Sequence, residues 1–279
     1  MNIINVDVGF REPIRKAYPA YHKGPLIEDF AYPYFLHCQD INGWEYLPIA
    51  WTGWYCNNGF GGRTDGLRNY VKFLRLKERG TRIFTTVQCD IGTACDDILR
   101  EQGVVVFGAG GVGDVPIPLL CSPHSVNKRP PRYLASFCGS FDTHPVRREM
   151  QRVMEGKPDV FLGRGGTSLF ESVMSESTFA LCPRGFGRTS FRLYEALQMG
   201  VVPVYIADDP WLPYWSEEEW SKFCILADSS FLPDLHKILS KIAENDTFMN
   251  SVREEISKRQ HLFTLQGCCE WIEGKVRSL

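Results

Sequence analysis

Residues Thr178 to Trp215 read TFALCPRGFGRTSFRLYEALQMGVVPVYIADDPWLPYW. TFALC is an apolar, β-rich run that Pro183, Gly185 and Gly187 break. Ser190 is a good N-cap residue, and Leu193, Ala196 and Leu197 recur at helical spacing, which predicts a helix over 191–199. Arg192 and Glu195, three apart, share a different face. Gly200 supplies a C′ stop. VVPVYIA is apolar at nearly every position, as expected of a parallel strand covered on both faces. The stretch is a βαβ unit and puts the chain in the α/β class.

Arg184, Arg188 and Arg192 lie in or beside the first turn of that helix, where the dipole makes a cation locally unfavourable. An anion among them resolves the conflict. A glycine-containing loop, a helix N-terminus and forked guanidiniums together suit a phosphate or diphosphate. Glu195, one turn further in, is then placed to accept hydrogen bonds from ribose hydroxyls. The alternative is that the arginines pair with acidic residues elsewhere in the chain.

At these residues the sequence resembles a known family. FALCPRGFGRTSFRLYEALQMGVVPVY followed by LPYW is similar to the donor-binding core of exostosin-like glycosyltransferases. RYLASFCGSF and HPVRREM upstream, and more weakly YLPIAWTGWY, QCDIG and GDVPIP, resemble further family segments in the same order. The resemblance implies the GT-B fold, two Rossmann-like doubly wound parallel-sheet domains facing across a cleft. It also implies inverting transfer of a sugar from a nucleotide donor, most often a uridine one. Phe161 to Arg164 would lie beside the nucleotide base by this resemblance alone.

Outward from the core, the N-terminal half alternates strand and helix. AYPAYHKGPLIEDFAYPYFLHC, rich in proline and aromatic residues, predicts an extended wrap with few long helices. EYLPIAWTGWY reads as a strand and NNGFGGRTDG as a loop before a helix, with Arg63 and Asp65 in that loop. IFTTVQ is a strand that delivers Cys89 and Asp90, DDILREQG is a helical turn or two, and VVVFG is a strand. Tyr32, Tyr34, Trp44, Trp51 and Trp54 either stack against sugar rings or fill a core. GAGGVG, residues 108–113, matches G-x-G-x-x-G in form, but Pro116 and Pro118 stand where the required helix would run, so it is no dinucleotide fingerprint.

SPHSVNKRPPR, residues 122–132, is the best linker. YLASFCGSF is a strand, and a helix starts near Pro145 with Arg147 in its first turn, again a cation at the positive end that either reaches the same anion or sits in solvent. DVFLG is a strand followed by a helix through LFESVMSES. The expected domains are 1–125, an acceptor-side domain, and 126–255, a nucleotide-sugar domain. Residues 256–279 would form a terminal helix that returns to the first.

Composition agrees with a globular protein: 44% of residues are hydrophobic, 23% charged, and the net charge is −2. Positive charge is local, which excludes a general nucleic-acid binder. No apolar run approaches a membrane span and MNIINVDVGFREPIRK lacks a signal-peptide core, so the expected location is cytoplasmic, the host cytoplasm if the protein is viral. The ten cysteines lack CxxC pairs and read as reduced thiols, mostly small buried hydrophobes.

Inverting transfer needs a base for the acceptor hydroxyl, a stabilised leaving diphosphate and a cleft that excludes water. The chain contains no Asp-x-Asp pattern, so protein cations are expected to replace a metal: no cofactor, with a UDP-linked sugar as co-substrate. The candidate donor-binding residues are Arg147, Arg184, Gly185, Arg188, Ser190, Arg192 and Glu195. The candidate bases are Asp90 and Asp65, each at a strand end and each equally able to serve as a turn residue. The expected partners are a UDP-sugar and an oligosaccharide or glycoprotein acceptor. A non-catalytic nucleotide- or glycan-binding module is the competing reading; a phosphate-ester hydrolase would need a metal cluster or nucleophile that the sequence does not display.

Overall fold

The computed structural model describes residues 3–16, 24–61, 63–120, 123–124 and 129–279. Two compact units divide the chain: Met1–Ser122 with Leu265–Leu279, and Pro123–Thr264. The boundaries read from sequence at 125 and 255 therefore stand at 122 and 264 by contact.

In the first unit the elements are α1 (Ile27–His37), β1 (Trp44–Tyr46), α2 (Trp51–Asn57), α3 (Asp65–Phe73), β2 (Arg82–Val87), α4 (Asp96–Glu101), β3 (Val104–Gly108) and β4 (Val115–Pro116). The sheet is parallel in the order β1-β2-β3-β4, and Ile3, outside the named strands, makes an isolated parallel bridge to Tyr46 of β1. Strand alternation gives its two faces different chemistry. Phe84 meets Phe35, Tyr46 and Phe107 at 5.0, 5.3 and 5.8 Å on one face. Ile83, Val87, Val104 and Val106 pack with Leu67, Val71, Ile98 and Leu99 on the other.

Two local expectations change. The stretch read as an extended wrap contains the helix α1, because Ile27, Ala31 and Phe35, spaced by four, are all buried. That stripe outweighs the interior Pro33, and Asp29 accepts from Leu26 N at 3.2 Å to anchor the first turn. Residues 17–23 of the wrap lie outside the described residues. EYLPIAWTGWY, read as one strand, belongs to β1 only through Glu45 and Tyr46. Pro48 has no N–H to continue the ladder, and Trp51 starts α2 with its indole donating to Thr85 Oγ1 at 2.8 Å. After GAGGVG the chain enters strand β4 and no helix, as the prolines require.

In the second unit come β5 (Tyr133–Cys138), α5 (Pro145–Met154), β6 (Val160–Gly163), α6 (Thr167–Ser175), β7 (Ser177–Pro183), α7 (Phe191–Met199), β8 (Val202–Ile206), α8 (Glu217–Trp220), β9 (Ile225–Ala227), α9 (Leu235–Ala243) and α10 (Asp246–Arg259). The last helix, α11 (Leu265–Ser278), belongs to the first unit, where Tyr34 OH donates to Glu273 at 2.7 Å. The second sheet is parallel in the order β6-β5-β7-β8-β9. Strand order reverses between β5 and β7, so their carboxyl ends diverge into a crevice, the topological switch point at which open α/β sheets bind ligands. Among the described residues the first sheet runs in sequential order, without such a reversal.

The predicted βαβ unit is β7-α7-β8, and Gly200 ends α7 in the left-handed region at φ 70°. The helix differs from expectation in one respect: every residue from Arg192 to Met199 is buried, the polar face included. Phe263 closes that side, and its carbonyl oxygen accepts from Gln198 Nε2 at 2.6 Å.

Candidate functional site

The carboxyl ends of β5 and β7 and the first turn of α7 converge at the switch point. Ser190, Arg192 and Glu195 there are 6%, 8% and 6% exposed. Burying a hydroxyl, a guanidinium and a carboxylate costs several kcal/mol unless each is compensated. The compensation is incomplete. Ser190 stands at the N-cap position but makes no cap hydrogen bond, and its Oγ and Arg192 Nε are buried without a partner. Thr143 Oγ1 is a third such atom, about 4.0 Å from where a Cβ on Gly185 would stand.

Arg192 crosses from α7 to donate through Nη2 to the Cys138 carbonyl oxygen at the end of β5, with its guanidinium 4.1 Å from the Phe137 ring centroid. Gly139 leaves the room for this: a Cβ there would come within 2.4 Å of Arg192 Nη2.

Arg147, placed by α5, is 7% exposed and donates to three carbonyl oxygens: Arg184 at 2.8 Å, Ser140 at 2.9 Å and Pro183 at 3.2 Å. It ties the loop after β5 to the loop after β7, which gives it a positioning role in the crevice. Arg184 turns back on its own loop, donating through Nε to Gly187 O at 3.0 Å. Arg188 does what the competing reading of the arginines predicted: it pairs with Asp209 and lies 4.8 Å over Trp211. Gly185 is buried beside Arg147, and its N–H donates to Thr189 O at 3.0 Å. All seven donor-site candidates thus lie around one strand reversal: two with orphaned polar atoms (Ser190, Arg192), a clamp (Arg147), three loop residues (Arg184, Gly185, Arg188) and the buried helix carboxylate of Glu195.

His144 caps α5, its Nδ1 accepting from Val146 N at 3.3 Å. Burial and the Arg184 and Arg147 cations hold its pKa below the ordinary value, with Asp208 pulling the other way. Neutral His144 therefore adds no charge beside the arginines at neutral pH.

His124 was not singled out in the sequence. Its Nε2 lies 3.4 Å from Glu195 Oε1 and its Nδ1 3.2 Å from Glu171 Oε1. Both partners are distant in sequence, and nothing local in SPHSVNKRPPR marks the histidine. Thr143 carried a faint signal, a hydroxyl in the loop following a strand and a glycine. Of the residues placed near a base by resemblance, Arg164 pairs with Asp142 at 2.6 Å and Phe161 packs on Tyr133 at 5.6 Å.

The candidate bases lie in the first unit. Asp65 opens α3 as an exposed first-turn acid, favourable to the helix dipole. Asp90 is half-buried past the end of β2, where a Cβ on Gly110 would come within 2.4 Å of its Cα, so the glycine loop packs directly on it. Of the aromatic residues, Trp51 and Trp44 belong to the core, Trp44 also under Arg82 at 4.8 Å, while Trp54 stacks on Phe10 at 4.8 Å. Tyr32 accepts from Arg11 at 2.6 Å. The nine described cysteines are free thiols.

Comparison with known proteins bears on the same region. Residues 106–242 match the Exostosin GT47 domain. That span, just under half of the 279 residues, contains the whole arginine site. A probable glucuronoxylan glucuronosyltransferase of Arabidopsis thaliana is 28% identical over 138 residues, 48% of this chain and 29% of that protein. Exostosin-1 of Drosophila melanogaster is 37% identical over 79 residues, 28% of this chain and 10% of that protein. The matched segments thus span less than a third of these relatives' own length. Over this span the chain is similar to exostosin-like glycosyltransferases. Among solved structures, an alpha-glucosyltransferase in complex with UDP and a 13-mer DNA aligns with a TM-score of 0.45 at 11% identity, covering 91% of this chain and 84% of that one. TarM aligns at 0.43 and 10% identity, over 76% and 46%. Among the described residues no helix is long and apolar enough to cross a membrane.

Proposed function

We propose that this chain is an inverting glycosyltransferase whose second unit holds the diphosphate of a nucleotide sugar. The observation that carries the reading is the pair of orphaned buried groups, Ser190 Oγ and Arg192 Nε, at the N-terminus of α7 and at the strand-order reversal. A diphosphate supplies acceptors for both and the negative charge that the helix end and the arginines favour. The same contacts stabilise the leaving group as the glycosidic bond to the donor breaks. Glu195 accepts from the ribose hydroxyls, and an aspartate of the first unit, Asp90 ahead of Asp65, takes the proton of the acceptor hydroxyl as it attacks the anomeric carbon.

The cations serve in place of a metal, and the donor is a uridine diphosphate sugar. Within the exostosin-like enzymes the chain resembles a chlorovirus β-xylosyltransferase that builds capsid-protein glycans. On that resemblance the donor is UDP-xylose, the acceptor is a glycan hydroxyl such as one on fucose, and the enzyme works in the host cytoplasm. Curated relatives carry names of glucuronosyl transfer, so UDP-glucuronic acid is the donor to test beside it.

The test is calorimetric titration of the purified protein with UDP, UDP-xylose and UDP-glucuronic acid, with and without EDTA. Binding of UDP and one sugar nucleotide, unchanged by chelator, is the expected result. Binding that EDTA abolishes overturns metal independence. No binding of any nucleotide overturns the diphosphate site.

A further inference from the structure

The His124 side chain is 4% exposed, and it joins two helices through charge. From α7, Glu195 faces Nε2 at 3.4 Å, and Gln198 Oε1 accepts from the His124 backbone N–H at 2.9 Å. From α6, Glu171 faces Nδ1 at 3.2 Å and the Phe170 ring lies 5.8 Å away. Arg192, a cation on α7, has its guanidinium carbon 5.8 Å from the centroid of that same Phe170 ring. Both ring nitrogens thus face carboxylates, which only the doubly protonated imidazolium can serve as a donor at once.

The two carboxylates differ in one decisive respect. Glu171 is 49% exposed and keeps its hydration, whereas Glu195 is 8% exposed at the side chain. Without a counter-charge a buried carboxylate carries a large desolvation cost. The contact at Nε2 is poorly aligned, so that this nitrogen has no hydrogen-bond partner by geometry. It acts on Glu195 chiefly as a charge and leaves the carboxylate's lone pairs for other donors.

We propose that His124 is the positioning residue for Glu195, and that Glu171 holds it in the imidazolium form so that the buried carboxylate stays ready to accept a vicinal diol. The proposal rests on the reading of Glu195 as the ribose contact. Burial pulls the His124 pKa down, but Glu195 and Glu171 outweigh it and hold it above the ordinary value. Recognition of the diol is therefore fullest at low pH and fades as pH rises through that titration.

The experiment measures the affinity of the intact protein for UDP and for 2′,3′-dideoxy-UDP across about pH 5.5 to 8.5. Both probes titrate alike at phosphate, so the ratio of their affinities isolates the hydroxyl contact. In the unaltered protein the ratio is about tenfold at low pH and falls toward unity at high pH, the size expected of one charge-assisted hydrogen bond. His124→Gln gives a small ratio that does not change with pH. Glu171→Gln, a surface change that the fold tolerates, moves the fall to lower pH. A His124→Gln or Glu171→Gln protein with the unaltered ratio and slope overturns this role for His124 while the site stands. Equal binding of both nucleotides by the unaltered protein overturns the ribose reading of Glu195 and this role with it.

Discussion

Arg147 Nε donates to the backbone oxygen of Arg184 at 2.8 Å. One arginine of the candidate anion site thus holds the main chain of another, and its other two contacts close the loops after β5 and β7.

Arg147→Ala leaves three carbonyl oxygens without their donor. Hydrogen bonds from a charged group contribute about 1.5–3 kcal/mol each and are not additive, so the expected loss of stability is about 3 kcal/mol. Urea unfolding measures it. Arg147→Lys recovers only part, because an ammonium cannot reproduce the fork. Stability unchanged in Arg147→Ala would contradict the clamp.

Ser190→Ala has the opposite profile. The hydroxyl makes no cap bond, so unfolding should shift by less than about 0.5 kcal/mol, where a working cap would cost about 1. Affinity for inorganic diphosphate or UDP should fall about tenfold, as for one lost charge-assisted bond. Loss of stability with unchanged binding would make Ser190 an ordinary structural residue.

Glu28 makes stability depend on pH. Burial pushes its pKa from the ordinary 4.5 up to about 7, against the lowering effect of donors from Thr52 and Gln88. Oε1 accepts from Thr52 Oγ1 at 2.6 Å, Thr52 N at 3.1 Å and Gln88 N at 3.2 Å, while Oε2 is buried and unpartnered. For an acid with a raised folded pKa, the folded state binds the extra proton between the two values, so stability falls as pH rises from 4.5 to about 7. The difference of about 2.5 units corresponds to about 3 kcal/mol. Unfolding midpoints of the unaltered protein and Glu28→Gln, compared from pH 4 to 8, should diverge by that amount in favour of the variant at high pH, within about a factor of two. Parallel curves would place the titration elsewhere.

For the base, Asp90→Asn should lower kcat about a hundredfold or more with donor affinity intact, and Asp65→Asn should not. Single-turnover transfer with the donor identified by calorimetry measures both. If neither change slows transfer, the base is another group.

The sequence reading placed α7 to the residue and its flanking strands to within one residue at each end, because hydrophobic period, a glycine stop and a continuous apolar run are local properties. It also marked the first turn of α7 as an anion site, since cations there conflict with a dipole only a few residues long. The same local reasoning missed α1, where the buried stripe of Ile27, Ala31 and Phe35 outweighs a proline and an aromatic-rich composition that suggested a wrap.

Partner choice was beyond it. Arg147, Arg188 and Arg192 are three similar cations near helix starts, yet one clamps carbonyls, one pairs with Asp209 and one reaches across to β5. Their sequence contexts do not distinguish these fates; the strand order does, because it sets which loop ends stand opposite each guanidinium. His124 meets Glu171 and Glu195 for the same reason. The sequence by itself determined the βαβ unit around α7 and most of the strands, and it predicted an anion at the first turn of that helix. Only the tertiary structure decided that the polar face of α7 is buried, because a desolvated group is made by what packs over it, and that covering comes from chain segments far away in sequence.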